Sequence, residues 1–109
     1  MERPGHENCP CMETCPLNRA LGLIGGRWKM QILCALSNNG PTRYNRLKKT
    51  LDGVSNTVLA NALRELEEDG LVLRRVYLEA PVRVEYEITE PCRTLIPILD
   101  RLGDWSMGL

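Results

Sequence analysis

The segment that decides the fold is SNTVLANALRELEEDGLV, residues 55–72. It begins with Ser55, a residue type that caps helix N-termini, and Gly70 is placed to close the helix. Apolar residues recur every three or four positions, which predicts one inward face. That inward face is expected to hold Val58, Leu59, Ala62, Leu63 and Leu66. The sequence therefore predicts an amphipathic helix with its other face exposed.

A shorter basic segment, RYNRLKKTL at residues 43–51, precedes this helix, and Thr42 is placed to cap it. A tight turn around Gly53 separates the two helical segments. Two helices joined by a glycine-bearing turn are typical of the helix-turn-helix arrangement, in which the second helix can enter the major groove of DNA.

Two segments with strand character follow the amphipathic helix. Residues 71–78, LVLRRVYL, are rich in branched apolar side chains, and residues 83–89, RVEYEIT, alternate between apolar and charged. EAPV at residues 79–82 is expected to form the hairpin tip. A hairpin directly after the second helix distinguishes a winged helix from a plain three-helix module. The predicted fold is mainly α with a small β-hairpin, a winged helix-turn-helix.

Further helices are predicted before the helix-turn-helix and after the hairpin. A first helix is expected to end at Gly25-Gly26, and a second, core helix at residues 27–37. A tail helix begins near Pro91 and is expected to be kinked by Pro97. Its apolar stripe consists of Leu95, Ile98, Leu99, Leu102 and Trp105.

So small a domain leaves little core for the tail stripe to cover, and a homodimer through the terminal helices is therefore expected. The chain is expected to divide into a flexible cysteine-bearing head, residues 1–14, and one winged helix-turn-helix domain, residues 15–109, that includes the C-terminal dimerisation helix.

Charge and composition narrow the function classes. The formal net charge is zero, but residues 1–50 carry eight bases and three acids, so the first half is basic and the second acidic. No segment has the apolar length of a membrane span or a signal peptide, so a cytoplasmic protein without membrane contact is expected. With His6 as the single histidine and no phosphate-binding loop, neither enzyme activity nor a cofactor is expected.

Three segments in combination resemble the HxlR-type branch of winged-helix regulators. They are CPLNRALGLIGGRWKMQIL at residues 15–33, the segment at residues 55–72, and APVRVEYEIT at residues 80–89. The resemblance spans roughly residues 15–105 and implies homodimeric bacterial or archaeal transcription factors that bind operators with two-fold symmetry. The sequence departs from the family pattern at Asn56-Thr57 and at Pro91-Cys92.

The predicted partner is double-stranded DNA. Ser55 starts the predicted recognition helix, and the side chains expected to meet base edges are Asn56, Thr57, Ala60, Asn61 and Arg64. Asparagine can pair bidentately with adenine, and threonine and alanine can touch a thymine methyl group. Phosphate or minor-groove contacts are expected from Arg43, Arg46, Lys48, Lys49, Arg74, Arg75 and Arg83.

Alternatives to these DNA contacts stay open at this stage. The outward helix face could be an ordinary solvated surface, and Arg83 could pair with Glu85 or Glu87 across the hairpin instead of reaching DNA. The acidic second half also leaves open a winged helix that binds proteins and not DNA.

Cys15 is the leading candidate for regulation. Pro16 fits the first helical position, which places the Cys15 thiol at a helix N-cap, where the helix dipole favours a thiolate. The family resemblance implies sensing of an oxidant or small electrophile at this position in some members. Alternatively, Cys9, Cys11 and Cys15 with His6 could bind a metal and make a metal-responsive regulator.

The other thiols have simpler interpretations. Cys9 and Cys11 could be inert, and Cys34 is expected to be a small buried residue in the second helix. Cys92 could be a resolving thiol or semi-exposed.

Overall fold

The computed structural model describes residues 15–109. Its elements, in chain order, are α1 (Pro16–Ile24), α2 (Arg27–Asn39), β1 (Thr42–Arg43), α3 (Tyr44–Thr50), α4 (Asn56–Glu68), β2 (Val72–Tyr77), β3 (Arg83–Ile88), α5 (Glu90–Arg93) and α6 (Ile96–Met107). This order, a helix-turn-helix followed by a strand hairpin, confirms the predicted winged helix-turn-helix fold.

The core lies where α2, α3 and α4 meet under the sheet. Its fully buried leucines and isoleucine, all 2% exposed or less, are Ile32, Leu33, Leu36, Leu47, Leu59, Leu63 and Leu66. On α4 they lie four and three positions apart and on α2 they fall within one turn, so each of these two helices buries one stripe, and α3 adds Leu47. An ion pair from Lys29 Nζ to Glu65 Oε1, 2.9 Å long, adds a polar link between α2 and α4.

Helix α4 begins as the sequence predicts. Ser55 Oγ accepts a hydrogen bond from the Val58 amide at 3.1 Å, which satisfies one of the first turn's unpaired N–H groups. The turn before it uses Gly53 at a φ of 89°, which favours glycine. The prediction that Val58 lies on the inward face is wrong. Its side chain is 42% exposed because Leu59, one position later, points directly into the core.

Thr42 does not cap α3, contrary to the prediction. It lies in the short strand β1, and its Oγ1 donates to the Gly40 carbonyl at 2.7 Å. Thr42 pairs with Tyr86, and Arg43 with Glu85, so the predicted two-stranded hairpin is a three-stranded antiparallel sheet in the order β1-β3-β2. Two residues are too few to show strand alternation in sequence.

The wing itself follows the predicted alternation. Val72 pairs with Ile88 at the buried base of the hairpin, and Tyr77 pairs with Arg83 at its outer end. Successive side chains point to opposite faces, so Arg75, Glu85 and Glu87 share the charged face. The base of the wing is therefore fixed to the core while its tip projects from it.

The tail is two helices and not one kinked helix. The Thr89 side chain caps α5, and Pro97 lies in the first turn of α6 and not in a helix interior. A proline is tolerated there because its missing N–H would be unpaired anyway. The predicted apolar stripe of the tail is divided between buried and exposed side chains. Leu99 is buried against its own domain, while Ile98, Leu102 and Trp105 are 50–64% exposed.

The turn between α1 and α2 also uses a glycine with a positive φ. Helix α1 ends at Ile24, and Gly26, at a φ of 88°, is the N-cap residue that precedes α2. Helix α2 runs to Asn39, two residues beyond the predicted end. Among residues 15–109, no helix has the length and apolar character needed to cross a membrane.

Candidate nucleic-acid interface

The outward face of α4 presents short polar and small side chains at its N-terminal half. Those predicted to meet bases, Asn56, Thr57, Ala60, Asn61 and Arg64, are all exposed. Ser55 is exposed too, although its Oγ is engaged in capping the helix. Short side chains let a helix backbone come close to base edges in the major groove.

Arg64 lies along the α4 surface. Its Nη2 donates to Asn61 Oδ1 at 3.4 Å, and its Nη1 lies 3.6 Å from Glu68 Oε1. Both contacts are long and solvent-exposed, so they contribute little and can be exchanged for a phosphate or a base. The side chains of Asn61 and Arg64 can therefore change partners when DNA binds.

Helix α3 and strand β1 supply cations next to α4. Arg43, Arg46 and Lys49 are exposed, and Lys48 is half-buried. An open depression of about 310 Å³ is lined by Asn45, Lys48 and Lys49. Of the predicted phosphate-contacting side chains of α3, the structure brings Lys48 and Lys49 together at this depression.

Arg83 is held by two carboxylates in the wing. Its Nη2 lies 3.0 Å from Glu79 Oε2 and its Nη1 lies 2.7 Å from Glu85 Oε2. Its guanidinium carbon also lies 3.7 Å from the centre of the Tyr77 ring, a cation–π contact. The hydrogen bond to Glu79, and after it the one to Glu85, raises the pKa of the Arg83 guanidinium. The hydrogen bond from Arg83 in turn lowers the pKa of the Glu79 carboxyl. The structure therefore favours the ion-pair alternative for Arg83, and contact with DNA stays a prediction.

The other two wing arginines differ from each other. Arg75 pairs with Glu87, and this hydrogen bond raises the pKa of Arg75. Arg74 is exposed, and none of the ion pairs found within residues 15–109 involves it. Because three glutamates balance three arginines, the described wing is close to neutral.

Tyr44 is a residue of this surface that the sequence did not single out. Its hydroxyl donates to the Asn56 backbone carbonyl at 3.1 Å and to Asn56 Oδ1 at 3.3 Å. The aromatic ring packs against the core. No pattern in the sequence signals a bond between residues 12 positions apart across a turn.

The burial of the cysteines in the described region differs from what the sequence predicts. Cys15 is the N-cap residue of α1, as predicted, but it is 1% exposed, and its side chain makes no capping hydrogen bond. Cys92 is fully buried, so the prediction of a semi-exposed thiol is wrong, and burial raises its pKa. Cys34, which the sequence predicts to be buried, is only half-buried, and burial and then the Asp100 charge raise its pKa.

The alternative metal cluster cannot be placed. His6, Cys9 and Cys11 lie outside the described residues. Within residues 15–109, no group of three histidine, cysteine or acidic side chains is arranged to hold a metal ion.

The fold and this surface define a winged helix-turn-helix regulator of transcription, and comparisons agree. The family model described as HxlR-like helix-turn-helix matches residues 23–109. An uncharacterized HTH-type transcriptional regulator of Halalkalibacterium halodurans is 40% identical over 96 residues, which are 88% of this chain and 85% of the relative. The chain therefore belongs to the HxlR-like helix-turn-helix family, as the resemblance implied.

Solved structures of related regulators have the same fold. The redox regulator HypR in its oxidized form has a TM-score of 0.80 and 37% identity, covering 87% of this chain and 97% of that one. YtcD, an HTH-type regulator of Bacillus subtilis, has a TM-score of 0.82 and 39% identity, covering 86% and 95% respectively.

The pairing of Arg83 gives a test of the wing. In the Glu79→Gln variant, one of the two carboxylates on Arg83 is neutral, so the guanidinium can exchange partners with a DNA phosphate. Duplex binding is expected to strengthen, and the slope of log affinity against log salt to steepen by about 0.9, one released counterion. Fluorescence anisotropy at several salt concentrations measures both.

The matched control is Glu90→Gln, which removes the same charge from a glutamate that pairs with Arg93 at 3.1 Å on α5. Its salt slope is expected to equal that of the wild type. Equal slopes for both variants would show that Arg83 does not approach the DNA.

Proposed function

We propose that this regulator binds duplex DNA as a homodimer, with one α4 in the major groove of each half of a two-fold symmetric operator. The observation that carries the proposal is the outward face of α4, which is exposed and follows a helix, α3, that carries exposed cations. Family membership supports the same conclusion. A protein with this role acts on chromosomal DNA in the cytoplasm.

The two sets of side chains have different roles. Asn56, Thr57, Ala60 and Asn61 read base edges, whereas the exposed cations of α3 hold the phosphate backbone. A base contact distinguishes sequences, and a phosphate contact strengthens binding to all sequences alike. The two kinds of contact can therefore be separated by mutation.

Asn61→Ala is expected to relax discrimination at one operator position by about 1–3 kcal/mol, because a base loses its hydrogen-bonding partner. Lys49→Ala is expected to weaken specific and non-specific duplexes equally and to reduce the salt slope by about one. Competition anisotropy with the protein's own upstream region and single-base variants measures both effects.

Salt-independent binding, or no duplex binding by the reduced protein, would contradict the proposal and leave a winged helix used for protein interaction. If both variants lowered specific and non-specific affinity by the same factor, α4 would not be the helix that reads bases.

The dimer is proposed to form through the terminal helices. On α6, Ile98, Leu102 and Trp105 are exposed at spacings of four and three residues, so they share one face. Leu17 and Leu21 of α1 are 56% and 60% exposed. Exposed apolar residues in rows of this kind mark interaction surfaces. On this proposal residues 15–109 form one domain with a C-terminal dimerisation helix.

Leu102→Glu is expected to convert the dimer to monomer, because a carboxylate in an apolar interface would have to be desolvated. Sedimentation velocity measures the mass, and circular dichroism checks that α6 stays folded. Leu78→Glu is the matched control. It places the same charge on a wing leucine that is 90% exposed, and this variant should sediment as the wild type does. A dimeric Leu102→Glu variant would exclude this interface.

A thiol switch at Cys15 is the regulatory part of the proposal. The HypR structures, solved in oxidized and reduced forms, support redox control for a regulator 36–37% identical to this chain. Cys15 is buried at the start of α1, so the atoms added by modification have no free space there. A two-electron oxidant such as hypochlorite would convert the thiol to a sulfenic acid and release chloride. Displacement of α1 would then alter the spacing of the two α4 helices, about 34 Å on DNA.

Treatment with hypochlorite, a quinone or an aldehyde is expected to lower operator affinity of the wild type and not of Cys15→Ser. Anisotropy reports the affinity, and mass spectrometry reports which thiol is modified. Because burial raises the pKa of both the Cys34 and the Cys92 thiols, these two residues are expected to be modified slowly at neutral pH.

A Cys9→Ser/Cys11→Ser double variant is the control. If only this variant lost the response, or if purified protein carried stoichiometric zinc, the metal-responsive alternative would replace the thiol switch. An unchanged response in Cys15→Ser would contradict the switch outright.

A further inference from the structure

Two helices of the helix-turn-helix are joined by a single side chain at the surface proposed to read DNA. Tyr44 is the first residue of α3, and Asn56 is the first residue of α4. The Tyr44 hydroxyl contacts both oxygens of Asn56, the backbone carbonyl at 3.1 Å and Oδ1 at 3.3 Å. A hydroxyl proton shared between two acceptors is a three-centre hydrogen bond.

The Tyr44 side chain is anchored, whereas Asn56 is exposed. The tyrosine ring is half-buried and packs on the core, so its hydroxyl is fixed relative to α4. Asn56, by contrast, has solvent on its outer side. Because the anchored hydroxyl directs its proton toward both oxygens of Asn56, it favours the amide orientation in which Oδ1 faces Tyr44.

The orientation decides what Asn56 can recognise. With Oδ1 facing Tyr44, the Nδ2 group and its two N–H donors face outward. Bidentate pairing with adenine requires both halves of an asparagine amide, the oxygen for N6–H and the nitrogen for N7. An amide whose oxygen is turned toward Tyr44 presents its two N–H donors on the outer side, which suits the acceptors on guanine (O6, N7) and thymine (O4).

We propose that Tyr44 is a positioning residue for base recognition: it holds the Asn56 amide so that Nδ2 donates to guanine or thymine and adenine is not paired bidentately. The proposal rests on the proposed placement of α4 in the major groove. It makes Tyr44 a determinant of sequence specificity although Tyr44 itself touches no base.

Asn61, on the same helix, differs from Asn56 in the residue that holds its amide. Its Oδ1 accepts from Arg64 at 3.4 Å, and Arg64 is exposed and flexible, so this bond can be exchanged when DNA arrives. Asn61 therefore stays available for bidentate pairing with adenine, whereas Asn56 does not. Two asparagines on one helix face would then read different bases.

The test compares full-length wild type, Tyr44→Phe and Asn56→Ala on duplexes carrying each of the four bases at every operator position. Asn56→Ala identifies the position that Asn56 reads. At that position the wild type is expected to prefer guanine or thymine. Tyr44→Phe frees the amide and is expected to shift the preference toward adenine by at least about fivefold, the lower end for one bidentate contact.

Other positions and the salt slope should not change in Tyr44→Phe. Tyr86→Phe, which removes the hydroxyl of a half-buried tyrosine in the sheet, is the control and should keep the wild-type preference everywhere. A purely structural Tyr44 would instead lower affinity for all sequences alike, and that result would overturn the proposal. So would a wild type that already prefers adenine at the Asn56 position.

Asn56→Asp gives an independent test should Tyr44→Phe fold poorly. The isosteric carboxylate still accepts from Tyr44 but presents an oxygen outward, so the preference should move to cytosine, whose N4 amino group donates. An unchanged preference would overturn the proposal. If the wild type bound no duplex specifically, the proposed function would fail. If it bound specifically while Asn56→Ala and Tyr44→Phe changed no position, this inference alone would fail.

Discussion

The packing of α4 against α2 is the constraint on which the rest of the structure depends. Leu59, Leu63 and Leu66 are almost wholly buried beneath α4, and the Lys29 to Glu65 ion pair closes one edge of the contact. A buried leucine contributes on the order of 2 kcal/mol, whereas an ion pair with an exposed partner contributes less than about 1 kcal/mol. The apolar stripe therefore sets the rotation of α4, and that rotation decides which side chains face outward.

Once α4 is fixed, the electrostatics of the two flanking elements differ. Helix α3 carries its cations without glutamates of its own, so its positive charge is available to an anion. The wing pairs Arg75 and Arg83 with carboxylates and is close to neutral. Between the two elements, positive charge free of neighbouring carboxylates is thus concentrated on α3, while Arg83 of the wing also stacks on Tyr77.

The terminal helices α1 and α6 expose apolar side chains. Leu17 and Leu21 on α1 and Ile98, Leu102 and Trp105 on α6 remain exposed, because the core of one chain is already filled by α2, α3 and α4. An open apolar cavity of about 210 Å³ is lined by Ala20, Leu23, Ile24, Leu71 and Leu95, between α1 and the start of α6. Cys15 begins α1, so a covalent change there would act on the proposed dimer contact and not on the DNA surface directly.

The sequence by itself determined helices α1 to α4, the hairpin and the exposed face of α4, because apolar periodicity, the Ser55 cap and the glycine turns are local signals, but it did not reveal that the tail is two helices. It also identified the cations of α3. Tertiary structure alone decided the pairing of Thr42 with Tyr86, the burial of Cys15 and Cys92, the exposure of Val58 and the bond from Tyr44 to Asn56. Each of these depends on which distant segment packs beside a residue, and the spacing of residues along a chain does not record that.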